Sequence, residues 1–392
     1  MKRTEWLQET KQMRFEEAFQ GWTERRLTQE DAARLLGVCA RTFRRYIDRY
    51  EEEGLDGLLD KRLTQVSHRR APVDEVLRLV DRYRRRHDGW NVKHYYSWYR
   101  RDGGQRSYSW VKNTLQAAGV VKKAAKRGVH RKRRDPAPWP GMLLHQDGSD
   151  YEWVPGRRWD LIVTMDDATN EHYSMFLCDE EGTQSSFRGL RTVIEQQGLC
   201  CSLYTDRGSH YWHTPEAGGK VDKVNLTQFG RAMKQLGIEM IPAYSPEARG
   251  RSERAFGTHQ ERLPKELALA GITDMAAANV YIRDSYLPAF NAEFAHPSRE
   301  DGSAFVPCPA SVNLDDILCE QAERMVGKDN CVRFDGRVLQ LPAVKHRYHY
   351  IKAKVKVCRH TDATVSVFHG PRRLARYDAQ GQLIQDELPT AA

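Results

Sequence analysis

Residues 143–179 read LLHQDGSDYEWVPGRRWDLIVTMDDATNEHYSMFLCD. Three runs rich in apolar, β-branched and aromatic residues are separated by Pro155-Gly156 and Thr169-Asn170, both strong turn formers. The spacing predicts an antiparallel meander of three strands. Beyond it, TQSSFRGLRTVIEQQG (183–198) has helical periodicity, and LCCSLYTD (199–206) reads as a strand apolar enough to be covered on both faces. A second helix is expected over 226–236, then a short strand in IEMIPAY (238–244). SPEARGRSERAFGTHQERLPKEL (245–267) closes the series as a helix. Together these segments describe a five-stranded mixed sheet with helices interleaved among its last strands.

The chain around this core has 392 residues, more than one hydrophobic core usually needs, so two to four domains are expected. Its hydrophobic fraction of 40% argues against a disordered chain. No run of about 18 apolar residues suggests a membrane span, and the start MKRTEWLQETKQMRF has no apolar signal core. Eight scattered cysteines without a CxxC pair suit a reducing compartment. The expectation is a soluble cytoplasmic protein with no membrane partner. The net charge of +9 is unevenly placed: residues 1–140 hold 33 lysines and arginines against 19 acids, so the rest of the chain is at −5. A basic front suits a polyanion, and an acidic rear suits carboxylate chemistry.

In LTQEDAARLLGVCARTFRRYIDRY (27–50), Thr28 and Asp31 have capping-box-like spacing, and Ala33, Gly37 and Phe43 fall where a helix-turn-helix needs a small contact, a turn and a core plug. Phe43, Tyr46, Ile47 and Tyr50 form one stripe of the second helix, leaving Arg41, Arg44, Arg45 and Arg49 for phosphates or guanine edges. A second helical unit over 70–120, ending in SYSWVKNTLQAAG with Lys112, reads as another helix-turn-helix. The segment 121–140 is a basic linker: eight lysines and arginines lie between Lys122 and Arg134, among them Arg131, Lys132, Arg133 and Arg134, and prolines follow at 136, 138 and 140. The expected division is a helix-turn-helix domain over 1–63, the second unit, the linker, a catalytic core over 141–296, a connecting segment over 297–327 and a small β-barrel over 328–385. In the barrel, IKAKVKV alternates Lys352, Lys354 and Lys356 with apolar residues, and Asp335-Gly336 marks a hairpin.

Within the core, Asp147 shares a strand face with Leu143 and His145, while Asp150 and Glu152 occupy the other. Asp206 ends the fourth strand, where open α/β sheets place their chemistry. On the helix of 245–267, Phe256, Leu263 and Leu267 form the inward stripe. Glu253 stands at its flank, Glu261 points away, Glu247 belongs to the loop or first turn, and Glu266 lies to the side. Pro264 should kink the element, and Arg249, Arg251, Arg254 and Arg262 are expected on the side open to DNA. Three converging carboxylates repel one another unless divalent metal neutralises them. Two Mg²⁺ ions, with Mn²⁺ as substitute, resolve the repulsion and serve phosphoryl transfer.

The order of elements is that of the ribonuclease H-like fold. LLHQDGS, YTDRGSHY, AGGKVDK and SPEARGRSERAFGTHQERLPKEL resemble a DDE transposase of the ISNCY kind of bacterial insertion sequences, within the retroviral-integrase superfamily. The likeness runs from the first helix-turn-helix to the terminal barrel. It implies Asp147, Asp206 and Glu253 as a metal-binding triad, with 58 and 46 residues in the two gaps. It also implies double-stranded DNA partners, both terminal inverted repeats and target, and a homo-oligomer on DNA. Many relatives follow the second Asp with Asn-Gly; here Arg207-Gly208 stands instead, so no role of that Asn carries over. Two competing readings share the fold: a catalytically inactive DNA-binding regulator whose core serves as a dimerisation scaffold, and a structure-specific nuclease without strand transfer.

Overall fold

The computed structural model describes residues 3–59, 70–123, 135–216, 219–244, 250–343 and 348–384. The chain divides into two compact units, Met1–Leu79 and Val80–Ala392.

In the first unit, α1 (Arg3–Thr23), α2 (Gln29–Leu35) and α3 (Ala40–Glu53) precede a 3₁₀ turn over Gly54–Leu58. The Thr28 hydroxyl accepts the Asp31 N–H at 3.1 Å, satisfying a donor that the start of α2 leaves open. Gly37 takes φ +69° between α2 and α3, a left-handed conformation that a side chain would strain. Phe43 and Ile47 are buried with Phe15, Ala18, Ala32, Ala33 and Leu58. With that stripe inward, Arg41, Arg44, Arg45 and Arg49 are exposed.

The boundary between the units falls inside α4 (Val73–Arg86). The helices α5 (Val92–Arg101) and α6 (Tyr108–Ala117) follow, capped by the Asn91 and Ser107 side chains. Tyr83, Trp90, Tyr95, Val111 and Leu115 are buried, and the Tyr83 hydroxyl donates to the Trp90 carbonyl at 2.5 Å.

The sheet consists of β1 (Leu143–Val154), β2 (Arg157–Asp166), β3 (His172–Cys178), β4 (Ser202–Thr205) and β5 (Glu239–Pro242). Their order is β3-β2-β1-β4-β5, the first three antiparallel and the last two parallel to β1. The expected turns are present: Gly156 takes φ +74° and Asn170 φ +60°. Helix α7 (Thr183–Gln196) joins β3 to β4, α8 (Gln228–Leu236) precedes β5, and α9 (Gly250–Leu269) follows it. Both faces are covered. Phe187, Leu190 and Val193 of α7 and Phe229 and Met233 of α8 pack on Leu144 and Leu203. On the opposite face Phe256, Leu263 and Leu267 of α9 pack on Trp159, Leu161, Val163 and Met165, joined by residues of α10 (Met275–Tyr281) and α11 (Leu287–Phe294). Helix α9 runs unbroken through Pro264, whose missing N–H its packing outweighs.

A short helix α12 (Leu314–Ile317) leads to the last strands. These are β6 (Glu320–Met325), β7 (Cys331–Phe334), β8 (Arg337–Gln340), β9 (Lys354–Arg359), β10 (Val365–His369), β11 (Arg372–Tyr377) and β12 (Leu383–Ile384). Of the expected small β-barrel the described residues show two antiparallel sheets, one ordered β12-β11-β10-β9-β6 and the other the β7–β8 hairpin. They share a core containing Val332, Leu339, Val355, Val357, Val365 and Val367. Among the described residues neither sheet closes: β6 and β12 are edges of the larger sheet, and β7 and β8 bond only each other. Asp335 and Gly336 have φ 50° and 73°, a hairpin turn with both central residues left-handed. The lysine strand is shorter than expected: it starts at Lys354, and Lys352 sits in the preceding turn with φ 58°.

Candidate active site

Strand register gives Asp147 and Asp206 corresponding positions on neighbouring strands. β1 and β4 pair in parallel as Leu143↔Ser202, Leu144↔Leu203 and His145↔Tyr204, so each aspartate lies two residues beyond the last matched pair. Alternation also gives them one face. Leu203 points into the α7–α8 side, whereas the Tyr204 ring lies 5.3 Å from the His145 ring on the other side; Asp206 follows Tyr204, and Asp147 follows His145. That side is the one covered by α9, since Ser149, again two residues on, accepts from Gln260 Nε2 at 2.9 Å. Asp147 is 6% exposed, and its Oδ1 accepts the Gly148 N–H at 3.1 Å. Asp206, the first residue past β4, accepts the Gly208 N–H at 2.8 Å.

Two contacts fix α9 along β1. At its start, Arg251 Nε lies 3.0 Å from Asp167 Oδ1, which also faces His145 Nε2 at 2.8 Å. Further along is the Gln260–Ser149 bond. Glu253 lies between 251 and 260 on the helix, and Asp147 lies between 145 and 149 on the strand. The helix therefore carries Glu253 over the part of the sheet that holds the aspartates. Its side chain is exposed rather than turned to the sheet, and among the described residues no three His, Cys, Asp or Glu side chains are gathered closely enough to hold a metal ion.

A further carboxylate borders the strand. Glu181 Oε1 is buried without a hydrogen-bond partner and lies 3.6 Å from His210 Nε2. Glycine at 148 admits it: a Cβ there would stand 2.4 Å from Glu181 Oε2. Burial raises the Tyr211 hydroxyl well above its ordinary pKa, and the charges of Glu181, Asp147 and Asp206 push in the same direction.

The winged helix-turn helix family matches residues 20–72, which span α2 and α3. The protein named "Putative transposase y4bF" of Sinorhizobium fredii (strain NBRC 101917 / NGR234) is 28% identical over 326 residues, 81% of this chain and 69% of its own length. The transposase for insertion sequence IS1202 of Streptococcus pneumoniae is 29% identical over 216 residues, 55% of this chain and 46% of its own length. The chain is a homologue of insertion-sequence transposases. Among solved structures, a simian T-cell lymphotropic virus intasome bound to PP2A regulatory subunit B56 gamma aligns with TM-score 0.34 and 13% identity, over 72% of this chain and 92% of that one. The HTLV-2 integrase catalytic core domain with magnesium, in its dimeric form, aligns with TM-score 0.28 and 15% identity, over 38% of this chain and 88% of that one. The fold of this transposase homologue rests on its own strand order.

The basic residues singled out in the transposase homologue's sequence meet different fates. Arg41, Arg44, Arg45 and Arg254 are exposed and Lys112 is half-buried. Arg131, Lys132, Arg133, Arg134 and Arg249 lie outside the described residues. Arg251 is not free on an open side but is paired with the fully buried Asp167. Arg262 is 6% exposed and pairs with Glu293 at 2.8 Å, because α11 covers the side of α9 that the helical wheel left to solvent. Lys354 is exposed, and Lys356 stacks its ammonium 4.8 Å from the Phe368 ring centre.

Three acids were missed as participants: Glu181, Asp167 and Glu266. Asp167 could have been noticed as the second member of an Asp-Asp pair ending an apolar strand. Glu266 gave no such signal: 4% exposed, it accepts from His94 Nε2 at 2.8 Å, Arg101 Nη2 at 3.0 Å and the Tyr281 hydroxyl at 2.8 Å. Two of these partners precede it by 172 and 165 residues, far beyond any sequence window. No described helix is long and apolar enough to cross a membrane.

Proposed function

We propose that this chain is the transposase of a bacterial insertion sequence, binding the element's terminal inverted repeats and catalysing divalent-metal-dependent DNA strand cleavage and strand transfer. The observation that carries the reading is the placement of Asp147 and Asp206 in matched register on one face of the sheet, beneath the helix bearing Glu253. The donor chemistry fits Mg²⁺ or Mn²⁺. Three carboxylates supply the hard oxygen ligands those ions take, and Glu181 Oε1 lies buried near them without a hydrogen bond. Asp147, Asp206 and Glu253 would hold two such ions, which supply charge stabilisation for the attacking and leaving oxygens of an in-line phosphoryl transfer.

The remaining work belongs to the chain's own residues. Arg41, Arg44 and Arg45 on the exposed face of α3 bind the end sequence through phosphates and base edges. Arg254, exposed beside Glu253, holds the phosphate backbone against α9. Two ends must be joined to one target, so the protein acts as a homo-oligomer on double-stranded DNA. The test is joining of labelled end-sequence DNA with Asp147→Asn, Asp206→Asn and Glu253→Gln. Each should abolish joining while preserving end binding. Joining retained by one variant removes that residue from the site, and joining by none, wild type included, sinks the reading.

A further inference from the structure

Asp167 is fully buried just past the end of β2, yet it contacts three separated segments. Its Oδ1 accepts from His145 Nε2 at 2.8 Å and pairs with Arg251 Nε at 3.0 Å; its Oδ2 accepts the Ala137 N–H at 2.7 Å. Arg251 Nη1 also donates to the Asp167 carbonyl at 3.2 Å. A carboxylate oxygen only accepts, so Nε2 of His145 carries the proton. His145 lies two residues before Asp147, and Arg251 two before Glu253.

We propose that Asp167 is a positioning residue for strand transfer, locking the first turn of α9 to β1 and thereby setting the separation of Glu253 from Asp147. The proposal rests on the transposase reading above. Phe256, Leu263 and Leu267 and the Gln260–Ser149 bond seat α9 on the sheet from residue 256 onward, which leaves the first turn to be fixed separately. The Asp167 clamp supplies that anchor, two residues before Glu253. Arginine suits it because two guanidinium nitrogens engage two oxygens of one residue, which fixes direction as well as distance. Lysine at 251 would keep the charge and lose the direction.

The experiment compares Asp167→Asn, Arg251→Gln, Arg251→Lys and the Asp167→Asn/Arg251→Gln double variant in the full-length protein. Four readouts are taken: joining rate, binding of end DNA, Mn²⁺ affinity by calorimetry without DNA, and hydrogen exchange of the amides in 251–257. Displacing a reacting geometry by about 1 Å costs up to about a hundredfold. Each single variant should therefore join about ten- to a hundredfold more slowly, bind Mn²⁺ more weakly, exchange faster in 251–257 alone and bind end DNA normally. The double variant should be no slower than the slower single one. Wild-type joining and Mn²⁺ affinity in both Arg251→Gln and Arg251→Lys would overturn the proposal. So would faster exchange throughout the sheet, which would make the pair a general stabiliser. If the wild type neither joins DNA nor binds Mn²⁺, it is the transposase reading that fails.

Discussion

Glu266→Gln is the perturbation whose size follows most directly from the structure. Burial, the largest single influence on this carboxyl, pushes its pKa up, but the His94 hydrogen bond, the Arg101 charge and the Tyr281 hydroxyl together hold it at about 2 against an ordinary 4.5. His94 is itself kept below its usual value by burial, so near neutral pH it is an uncharged donor and Arg101 supplies the opposing charge. A downward shift of this size corresponds to about 3 kcal/mol of folding stability. Because the folded value is the lower one, that contribution is complete above about pH 4.5 and is lost as the pH falls toward about 2. The amide keeps the volume but cannot accept three donors at once, so its cost near neutral pH is of the same order, about 3 kcal/mol. Urea unfolding followed by tryptophan fluorescence is a suitable assay, since the Trp90 ring stacks 3.9 Å from His94. The wild type should exceed the variant by that amount near pH 7, and the gap should narrow below about pH 4.5. A gap under about 1 kcal/mol at pH 7, or one that stays constant as the pH falls, would refute the reasoning.

Three other tests address different parts of the chain. The Tyr286 hydroxyl, His259, His172 and the Asn170 carbonyl form a directed chain with both imidazoles neutral, linked Nε2 to Nε2 at 3.1 Å; burial holds His172 at about 4 against 6.5. His172 alone should cost about 3 kcal/mol of stability as the pH drops from about 6.5 to 4, with His259 adding in the same direction, and His172→Gln should reduce that slope in pH-dependent denaturation; an unchanged slope in the variant rejects the assignment. A Cβ at Gly57 would stand 2.3 Å from the Arg49 carbonyl on α3, so Gly57→Ala should destabilise the first unit by about 1–3 kcal/mol and weaken end binding; an unaltered calorimetric trace contradicts it. Arg44→Ala and Arg45→Ala should weaken end binding and reduce the salt slope by about 0.9 for each phosphate no longer neutralised, whereas identical slopes would remove these arginines from the interface.

The meander and the helix-turn-helix were legible because their signals are local. Pro155-Gly156, Thr169-Asn170 and the stripe of Phe43 and Ile47 depend on near neighbours in sequence. Asp206 could be read as a strand end and Asp147 as a position on one face of its strand, but their common face needed the parallel register of β1 with β4. What a helical wheel cannot supply is the number of neighbours around a helix. It left Arg262 and Glu266 without partners, whereas α11 and α5 bury both, Arg262 against Glu293 and Glu266 against His94. The terminal strands failed for a related reason: alternation identifies strands such as β9 but does not say whether their ends meet, and β6 and β12 stay apart.

Pro264 lies on α9 between the Gln260 contact with the sheet and the Glu266 contact with α5. A proline there has no N–H to offer the carbonyl four residues earlier, so one rung of the rod is missing between these two contacts. The first turn and the α5 contact are therefore linked through one backbone hydrogen bond fewer than an uninterrupted helix would provide, while Leu263 and Leu267, packed on the sheet, keep the element continuous across the gap.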